Sequence, residues 1–378
     1  MQNKKIKIFI IAGEVSGDVL GARIIREMPN VEFIGIGGEN MQAAGLKSIF
    51  PMSDLSVMGV IEVLGHARTL THRIKQTVNA ILQEKPDYVL TIDSPGFAKS
   101  VVNAVRKSSD GQLLIQNGLK FHHFVAPQVW AWRAGRAKKY AKTFDKLYAF
   151  FDFEVPYFTK YGLDTVAVGH PIADGLIGKY NHELTKGTEK IITLVPGSRM
   201  SEVKKLMPIM RVVAETLVRN GYQGYKFIIP TVETTAEYVR RHIKKWSVQP
   251  ELVPSDQRYN IYAKTYIAIV ASGTVSAELA MLHVPTIVVY KMNAITSWLI
   301  RRVIRIKWVS LVNILLNRGV YPEFLGDEAT AENVLNAVQQ LTIPARRNQM
   351  ISDLKSADGL WQLSNGGAPH VIASDLSK

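Results

Sequence analysis

The chain contains no cysteine among its 378 residues, so disulfide bonds, thiolate metal sites and cysteine nucleophiles are excluded. It also lacks an uncharged apolar run of the roughly 20 residues that a membrane-spanning helix needs. The apolar run near the basic N-terminus is too short for a signal peptide and is followed at once by Glu14. We therefore expect a protein of a reducing compartment that can lie on a membrane without crossing it.

The common phosphate-binding and metal-binding motifs are missing as well. There is no G-x-x-x-x-G-K-[ST] run, and "GIGGEN" at Gly35 lacks the G-x-G-x-x-G spacing. No two aspartates stand two residues apart, which removes the usual D-x-D metal clamp of nucleotide-sugar enzymes. We therefore expect no cofactor and no metal, with Arg199 and helix N-termini supplying charge stabilisation instead.

What the chain does have is positive charge. Lys and Arg number 46 against 32 acidic residues, which gives a net charge of +14. Such a surplus favours an anionic partner, which could be a phosphorylated substrate, an acidic membrane surface or a nucleic acid.

Apolar runs rich in Val, Ile, Leu and Phe alternate with amphipathic helical stretches in both halves of the chain. This pattern is typical of parallel strands covered on both faces. It predicts an α/β protein with two Rossmann-like domains facing across a cleft and a helical C-terminus. We place the first domain at 1–171 and the second at 172–344. The helices of 345–378 either cross back to the first domain or reach a partner chain.

The second half carries two candidate anion-binding turns, each after an apolar strand. Ligands of open α/β sheets bind beyond the carboxyl ends of the strands, where free backbone N–H groups and a helix N-terminus favour an anion. Simple helix capping and a surface role for the arginine are the alternatives. The candidates for a nucleotide diphosphate are Gly197, Ser198, Arg199, Ser272, Gly273, Thr274 and Glu278.

The first half would then hold the other reactant. Asp93 ends the run "VLTID" and could take a proton from an attacking hydroxyl, or it could cap the helix that follows. Glu14, Ser16 and Asp18 follow the first strand and could bind acceptor hydroxyls or cap a helix. His122 and His123 lie in a strand and are expected in the interior.

Two kinds of segment favour contact with a phosphorylated lipid. Around Trp132 and Arg133, aromatic and basic residues are mixed, which fits a phosphorylated lipid, a nucleic acid or a solvated helix face. Apolar bulk also stands beside cations around Trp298 and near residue 60, which is typical of an interfacial binder, with an ordinary core helix as the alternative. The predicted membrane-contacting residues are Val57, Met58, Val60, Ile61, Val63 and Leu64.

Taken together, these motifs resemble one family along nearly the whole chain. "AGEVSGDVLGA", "MGVIEVLG", "TIDSPGF", "VAPQVWAWR", "VGHP", "LVPGSR", "ASGTVSAE" and "VSLVNILLNRGVYPEFL" resemble lipid-A-disaccharide synthases, in that order. The resemblance implies an inverting, metal-independent glycosyltransferase of the GT-B fold. Its substrates would be UDP-2,3-diacylglucosamine and 2,3-diacylglucosamine 1-phosphate, and its products the β-1,6-linked disaccharide 1-phosphate and UDP.

The resemblance also implies a location and roles for residues. Family members are peripheral proteins on the cytoplasmic face of the inner membrane of Gram-negative bacteria, and a homodimer is possible. Asp93 matches the base proposed for the family, and "MGVIEVLG" matches its membrane-contacting helix. The implied UDP site comprises Arg199, Ser272–Thr274, Glu278, Asn313 and Glu323. Gly96 departs from the family pattern, which usually has a second aspartate there.

Two other functions are consistent with parts of the sequence. A nucleotide-sugar epimerase, or a glycosyltransferase with another acceptor, would use the same fold without needing the apolar and cationic surface. A nucleic-acid-binding protein would account for the charge, but it leaves the strand-end turns without a role. It predicts a steep salt dependence of binding to RNA or DNA.

Overall fold

The computed structural model describes residues 5–55, 60–177, 180, 190–291, 307–363 and 366–378, with the backbone alone for residues 60–67. The chain divides into two compact units. The first comprises Met1–Pro171 and Gln362–Lys378, and the second comprises Ile172–Trp361. The sequence sets apart the C-terminal segment 345–378, and the structure divides it. Residues 345–361 belong to the second unit, and residues 362–378 belong to the first.

The first unit is built on a parallel sheet of 7 strands in the order β3-β2-β1-β4-β5-β6-β7. The strands are β1 (Lys7–Ala12), β2 (Glu32–Ile36), β3 (Lys47–Ser48), β4 (Tyr88–Ile92), β5 (Lys120–Phe124), β6 (Lys146–Ala149) and β7 (Asp164–Ala167). Its helices are α1 (Val15–Glu27), α2 (Glu39–Ala43), α3 (Val60–Glu84), α4 (Pro95–Lys107), α5 (Ser109–Gln116), α6 (Arg136–Ala141) and α7 (Pro156–Thr159).

The second unit repeats the pattern with 6 strands in the order β10-β9-β8-β11-β12-β13. They are β8 (Lys190–Val195), β9 (Tyr225–Thr231), β10 (Glu251–Pro254), β11 (Thr265–Ala271), β12 (Thr286–Tyr290) and β13 (Glu323–Leu325). The helices are α8 (Ala173–Leu176), α9 (Met200–Arg219), α10 (Glu233–Ile243), α11 (Arg258–Tyr262), α12 (Thr274–Met281), α13 (Leu311–Leu316), α14 (Ala331–Thr342), α15 (Pro344–Lys355) and α16 (Asp358–Trp361).

The run "KIFIIA" forms the centre of the first sheet because its residues are apolar on both faces. Phe9 and Ile11 belong to one buried cluster, which includes the apolar face of α4. Ile8 and Ile10 belong to a second cluster on the opposite face, with residues of α1. Alternate side chains of a strand point to opposite faces, so a continuous apolar run fits a sheet covered on both sides.

The last helix, α17 (Gly367–Leu376), completes this second cluster through Ile372 and Leu376. It is also held by polar contacts. Asp375 accepts a hydrogen bond of 2.7 Å from the Tyr148 hydroxyl and pairs with Lys146 at 2.8 Å. Residues far apart in sequence therefore build one face of the first unit.

His122 and His123 are both buried and lie on opposite faces of β5, as predicted. His122 contacts the Tyr148 hydroxyl at 2.9 Å, whereas His123 stacks on Phe144. Burial lowers the pKa of His122 to about 4 and that of His123 to about 3, so both are neutral in the fold. Both histidines therefore pack as interior residues of the sheet.

Candidate functional site

In the second unit, the turns at Gly197 and Gly273 follow the adjacent strands β8 and β11. Each leads into a helix, with Arg199 preceding α9 and Gly273 preceding α12. Gly197 has φ +105, and a Cβ there would lie 2.5 Å from Glu202 Oε2, so this turn requires glycine. The sequence places both turns at one edge because the carboxyl ends of parallel strands share it.

The two turns line one cavity of about 420 Å³. All seven of the candidates that the sequence singled out around these turns contribute to its lining, which includes Gly197, Ser198, Arg199, Ser272, Gly273, Thr274 and Glu278. The helix N-termini of α9 and α12 begin at its wall, so backbone N–H groups and helix dipoles favour an anion there.

Two arginines border this cavity. The Arg199 side chain is 81% exposed and donates to Glu202 at 3.2 Å, so its guanidinium is free to turn toward a ligand. Arg258 was not predicted. It is held by Ser255, Tyr259 and Glu278, with its Nη2 donating to the Tyr259 hydroxyl at 2.7 Å. A signal was present, because Arg258 comes shortly after β10, whose carboxyl end lies at the same edge.

Glu278 is buried beside Arg258 while still lining the cavity. Its carboxylate accepts a hydrogen bond of 3.0 Å from the Tyr259 hydroxyl. Burial, and then the charge of Glu278, raise the pKa of Tyr259 to about 12, so this hydroxyl stays protonated and donates. A carboxylate fixed in this way can accept a further hydrogen bond from a ligand hydroxyl.

Asn313 and Glu323 do not occupy the positions that the resemblance implied. Asn313 is 0% exposed, and its amide group makes four hydrogen bonds of 2.8 Å within the fold. Glu323 accepts from Asn313, from the backbone of Val309 and from Ser310, which precedes α13. A fully buried amide with every group paired cannot contact a nucleotide. The structure therefore corrects the role of Asn313, and Glu323 bonds the segment that leads into α13.

In the first unit, Asp93 follows β4 and lies next to the end of β1. Asp93 and Ser94 both have positive φ, at 52 and 44. Two successive non-glycine residues in this region are costly, and such strain concentrates at functional sites. Ser94, not Asp93, is the residue that precedes α4, and it makes no side-chain cap. A side chain at Gly13 would collide with the Ser94 hydroxyl, which packs the two strand ends closely.

The carboxylate of Asp93 lies in an environment that favours its neutral form. Burial raises the pKa of Asp93, against the effect of a hydrogen bond from the Ser94 backbone. Burial, followed by the charge of Asp93, also raises the pKa of Glu14. The two carboxyl groups thus share one electrostatic environment at the ends of β1 and β4, and Glu14 is exposed there.

The other residues predicted on the acceptor side differ in exposure, since one is buried and the rest are exposed. Asp18 is 2% exposed, and its carboxylate accepts hydrogen bonds from the backbone N–H groups of Gly38, Asn40 and Met41. It therefore caps α2, which corrects the predicted contact with the acceptor. Ser16 is exposed in the first turn of α1. Trp132 is 42% exposed, and the Arg133 guanidinium lies over its ring at 4.7 Å.

Part of the predicted membrane contact falls outside the structure. Val57 and Met58 lie outside the described residues, as do the side chains of Val60, Ile61, Val63 and Leu64. The backbone of α3 begins at Val60. Within the described ranges, no helix combines the length and the apolar character needed to cross a bilayer. In the same ranges there is no cluster of three or more His, Asp or Glu suited to a metal ion.

Several known proteins are similar to this chain in fold. The UDP-GlcNAc 2-epimerase of Neisseria meningitidis, solved with UDP-GlcNAc, aligns with a TM-score of 0.62 at 13% identity, over 98% of this chain and 100% of that one. Acinetobacter baumannii MurG aligns with a TM-score of 0.60 at 11% identity, over 99% of both chains. At these identities the likeness concerns the fold, which is of the GT-B type with two parallel sheets.

The sequence similarities are more specific. A family model described as lipid-A-disaccharide synthetase matches residues 8–364. The lipid-A-disaccharide synthase of Rhodospirillum centenum is 39% identical, over 97% of this chain and 92% of that protein. That of Rickettsia canadensis is 36% identical, over 98% and 97%. The chain, with two α/β units that are each built on a parallel sheet, therefore belongs to the lipid-A-disaccharide synthase family.

Proposed function

We propose that this glycosyltransferase moves 2,3-diacylglucosamine from UDP to the 6-hydroxyl of 2,3-diacylglucosamine 1-phosphate, with inversion at the anomeric carbon. The observation that carries the proposal is a division of chemistry between the units. A cavity bordered by two turns and two helix N-termini lies in the second unit, and a carboxyl group with a raised pKa on a strained backbone lies in the first.

The second unit binds the UDP part of the donor. The backbone N–H groups at the starts of α9 and α12 bind the diphosphate, and Arg199 adds a bidentate contact from the rim. Arg258 contributes a second positive charge, which its neighbours hold in place. Glu278 accepts a hydrogen bond from a ribose hydroxyl. These groups are positioned before the reaction, so they stabilise the negative charge that develops on the leaving group.

The first unit binds the acceptor, and Asp93 acts as the base. Its carboxylate takes the proton of the attacking hydroxyl while that oxygen forms a bond to the anomeric carbon of the donor. The bond from that carbon to the diphosphate breaks, and UDP leaves with the electron pair. A raised pKa makes Asp93 a stronger base than an ordinary aspartate, and efficiency rises as the pKa nears the working pH. Glu14 and Ser16 contact acceptor hydroxyls.

The enzyme acts at a membrane surface, because both sugars carry acyl chains, and the family resemblance favours the cytoplasmic face of the inner membrane. The sequence 57–64 supplies apolar residues, and the sequence 298–307 combines apolar residues with Arg and Lys. Such segments bind an anionic leaflet reversibly.

Replacing Val60, Ile61 and Leu64 with serine should lower co-sedimentation with anionic vesicles and leave UDP affinity unchanged. Unchanged co-sedimentation would contradict the membrane role. A homodimer stays a prediction that light scattering tests directly.

The decisive experiment is to incubate the purified protein with both proposed substrates. Mass spectrometry should detect the tetraacyl disaccharide 1-phosphate, and UDP should be released in equal amount. The proton coupling at the new anomeric centre should be that of a β linkage. Epimerised UDP-sugar without disaccharide would favour the epimerase alternative, and the absence of both products would overturn the proposal.

A further inference from the structure

Four basic side chains follow β4 and β5 in the first unit, where the acceptor is proposed to bind. This basic cluster consists of Lys99 on α4, Arg133 in the loop after β5, and Arg136 and Lys139 on α6. Among the residues that the structure describes, none of the four forms an ion pair with a carboxylate, whereas Arg106 at the other end of α4 pairs with Asp145.

Three of the four cations lie over two aromatic rings. The Lys99 ammonium lies 5.5 Å from the centre of the Tyr140 ring. Tyr140 stands one turn after Arg136 on α6, so the two occupy the same face of that helix. The guanidinium groups of Arg133 and Arg136 lie over the Trp132 ring at 4.7 and 4.8 Å. The aromatic rings thus hold the cations in place without neutralising them.

Within the part of the chain that the structure describes, two buried donors have no hydrogen-bond partner, one on a cluster arginine and one on the neighbouring tyrosine. They are Nε of Arg136 and the hydroxyl of Tyr140. Buried polar groups are nearly always paired, and the exceptions are commonly completed by a ligand or ion. The Tyr140 hydroxyl also links the cluster to the proposed base. Burial raises the pKa of Tyr140, Arg136 opposes that change, and the charge of Asp93 adds to it.

The like charges repel one another in the absence of an anion. Burial lowers the pKa of Lys99, and the charges of Lys139 and Arg136 lower it further. Holding unpaired cations together is unfavourable unless a ligand supplies the opposite charge. A phosphomonoester fits this need, because it carries nearly two negative charges and offers acceptor oxygens to Arg and Lys donors.

We propose that the basic cluster of Lys99, Arg133, Arg136 and Lys139 binds the phosphate of the acceptor sugar and so orients its hydroxyl toward Asp93. This inference rests on the proposed function. Lys99 lies only about 6 Å along the helix axis from Pro95, at the turn that carries Asp93. The phosphate would be held at one end of the sugar ring and the attacking hydroxyl at the other.

The test compares the acceptor with a matched acceptor that has a hydroxyl in place of the 1-phosphate. The wild type should prefer the phosphorylated acceptor in kcat/KM. Lys99→Met and Arg136→Met should each lower kcat/KM for the phosphorylated acceptor about tenfold or more, mainly through KM, because each removes a charge-assisted contact. Their kcat/KM for the dephosphorylated acceptor should stay within about twofold of wild type, because that acceptor lacks the partner of the lost contact.

Three controls accompany these variants. Lys99→Arg and Arg136→Lys keep the charge and should retain most of the preference. Lys107→Met removes an exposed lysine at the far end of the same helix, and both acceptors should react as with wild type. Chemical denaturation should give wild-type stability for all variants, which shows that their first unit is folded, and UDP affinity by calorimetry should be unchanged because the donor cavity lies in the second unit.

Other results would overturn the inference in distinct ways. If Lys99→Met and Arg136→Met stay active with an unchanged preference for the phosphorylated acceptor, the cluster does not bind that phosphate, and the proposed function stands. If they lose binding to phosphatidylglycerol vesicles while keeping the preference, the cluster binds a membrane headgroup instead. If the wild type forms no disaccharide from either acceptor, the proposed function itself fails.

Discussion

Asp93 combines a left-handed backbone with a carboxyl group whose pKa is raised. Its neighbour Ser94 shares the strained conformation, and Val125, after the adjacent strand β5, has φ 79. A β-branched residue at positive φ is a genuine outlier. Strain at successive strand ends points to a surface shaped for binding, since the packing around it must offset the cost.

Asp93→Asn should reduce turnover about 10²–10⁴-fold, because the amide cannot accept the proton of the hydroxyl. UDP affinity by calorimetry should be unchanged, since the donor cavity lies in the other unit. In the wild type, kcat/KM should fall as the pH drops through the raised pKa of the Asp93 and Glu14 pair, above the range of an ordinary aspartate. Asp110→Asn, an exposed control, should behave as wild type, and full turnover in Asp93→Asn would remove the base assignment.

Asn313→Ala should lower the free energy of unfolding by about 2–3 kcal/mol, because it leaves buried groups of Tyr321 and Glu323 without their partners. UDP affinity of the folded variant should match the wild type. Chemical denaturation and calorimetry measure the two quantities. Asn336→Ala, at an exposed position of α14, should change neither. Weaker UDP binding at unchanged stability would restore a ligand role for Asn313.

Single residues also mark the limit of inference from sequence. Asp18 was predicted as a ligand because it follows the first strand, whereas Asn313 and Glu323 were predicted from the resemblance to the family. The structure makes them caps and internal bridges, which depends on the backbone N–H groups that tertiary structure brings to them. Arg258 was missed although it comes shortly after β10, because no motif marks that strand end.

At the scale of elements, the sequence was more informative. Continuous apolar runs predicted parallel strands, and the end of each strand predicted where polar turns would meet. The turns at Gly197 and Gly273 do meet, at one cavity, because β8 and β11 are adjacent. The strand order itself could not be read from the sequence, since periodicity reports burial and not which strands are neighbours.

Gly197→Ala and Gly221→Ala make a matched pair at this scale. Both glycines have positive φ, at 105 and 95, so each alanine should cost about 1–2 kcal/mol of stability. Only Gly197 borders the cavity, and its new Cβ would also displace Glu202. Calorimetry should therefore find UDP affinity about tenfold lower in Gly197→Ala, as its turn supplies anion-binding N–H groups. Equal affinities in the two variants would count against the turn as a phosphate site.

The anchoring of α17 can be tested through Asp375. Burial alone would raise the pKa of Asp375, but hydrogen bonds from Lys146 and Tyr148 hold it below its usual value. This stabilisation is present at neutral pH and is lost as the pH falls through the lowered pKa. Asp375→Asn should lower the unfolding free energy by about 1–2 kcal/mol at pH 7 and flatten its decline in acid. Glu27→Gln removes the exposed pair between Glu27 and His370 of α17, and it should have little effect on the unfolding free energy.

At the scale of the whole molecule, two units each have their own sheet and core. The positive charge of +14 suits a protein whose proposed ligands all carry phosphate. Fold class and family could be inferred from sequence, because many motifs agree in order along the chain. The point at which the chain returns to the first unit could not, because the segment after residue 344 reads as helical throughout.

UDP should protect one unit selectively. At 100 times its Kd, a ligand that binds only the folded state adds about 2.7 kcal/mol of stability. Hydrogen exchange should therefore slow at the ends of β8 and β11 and at the starts of α9 and α12. The amides around Asp93 and in α17 should exchange as before. Protection of the Asp93 turn by UDP alone, with none at Gly197, would reverse the assignment of donor and acceptor units.

The return of α17 to the first sheet has a consequence for biosynthesis. Ile372 and Leu376 cover Ile8, Ile10 and Leu90, which a ribosome releases hundreds of residues earlier. While the second unit is being translated, α17 has not yet been made, so it cannot pack against that hydrophobic face of the first unit. A premature stop before residue 362 would thus leave an exposed hydrophobic surface on a first unit that is otherwise complete. Chaperones and proteases recognise such surfaces.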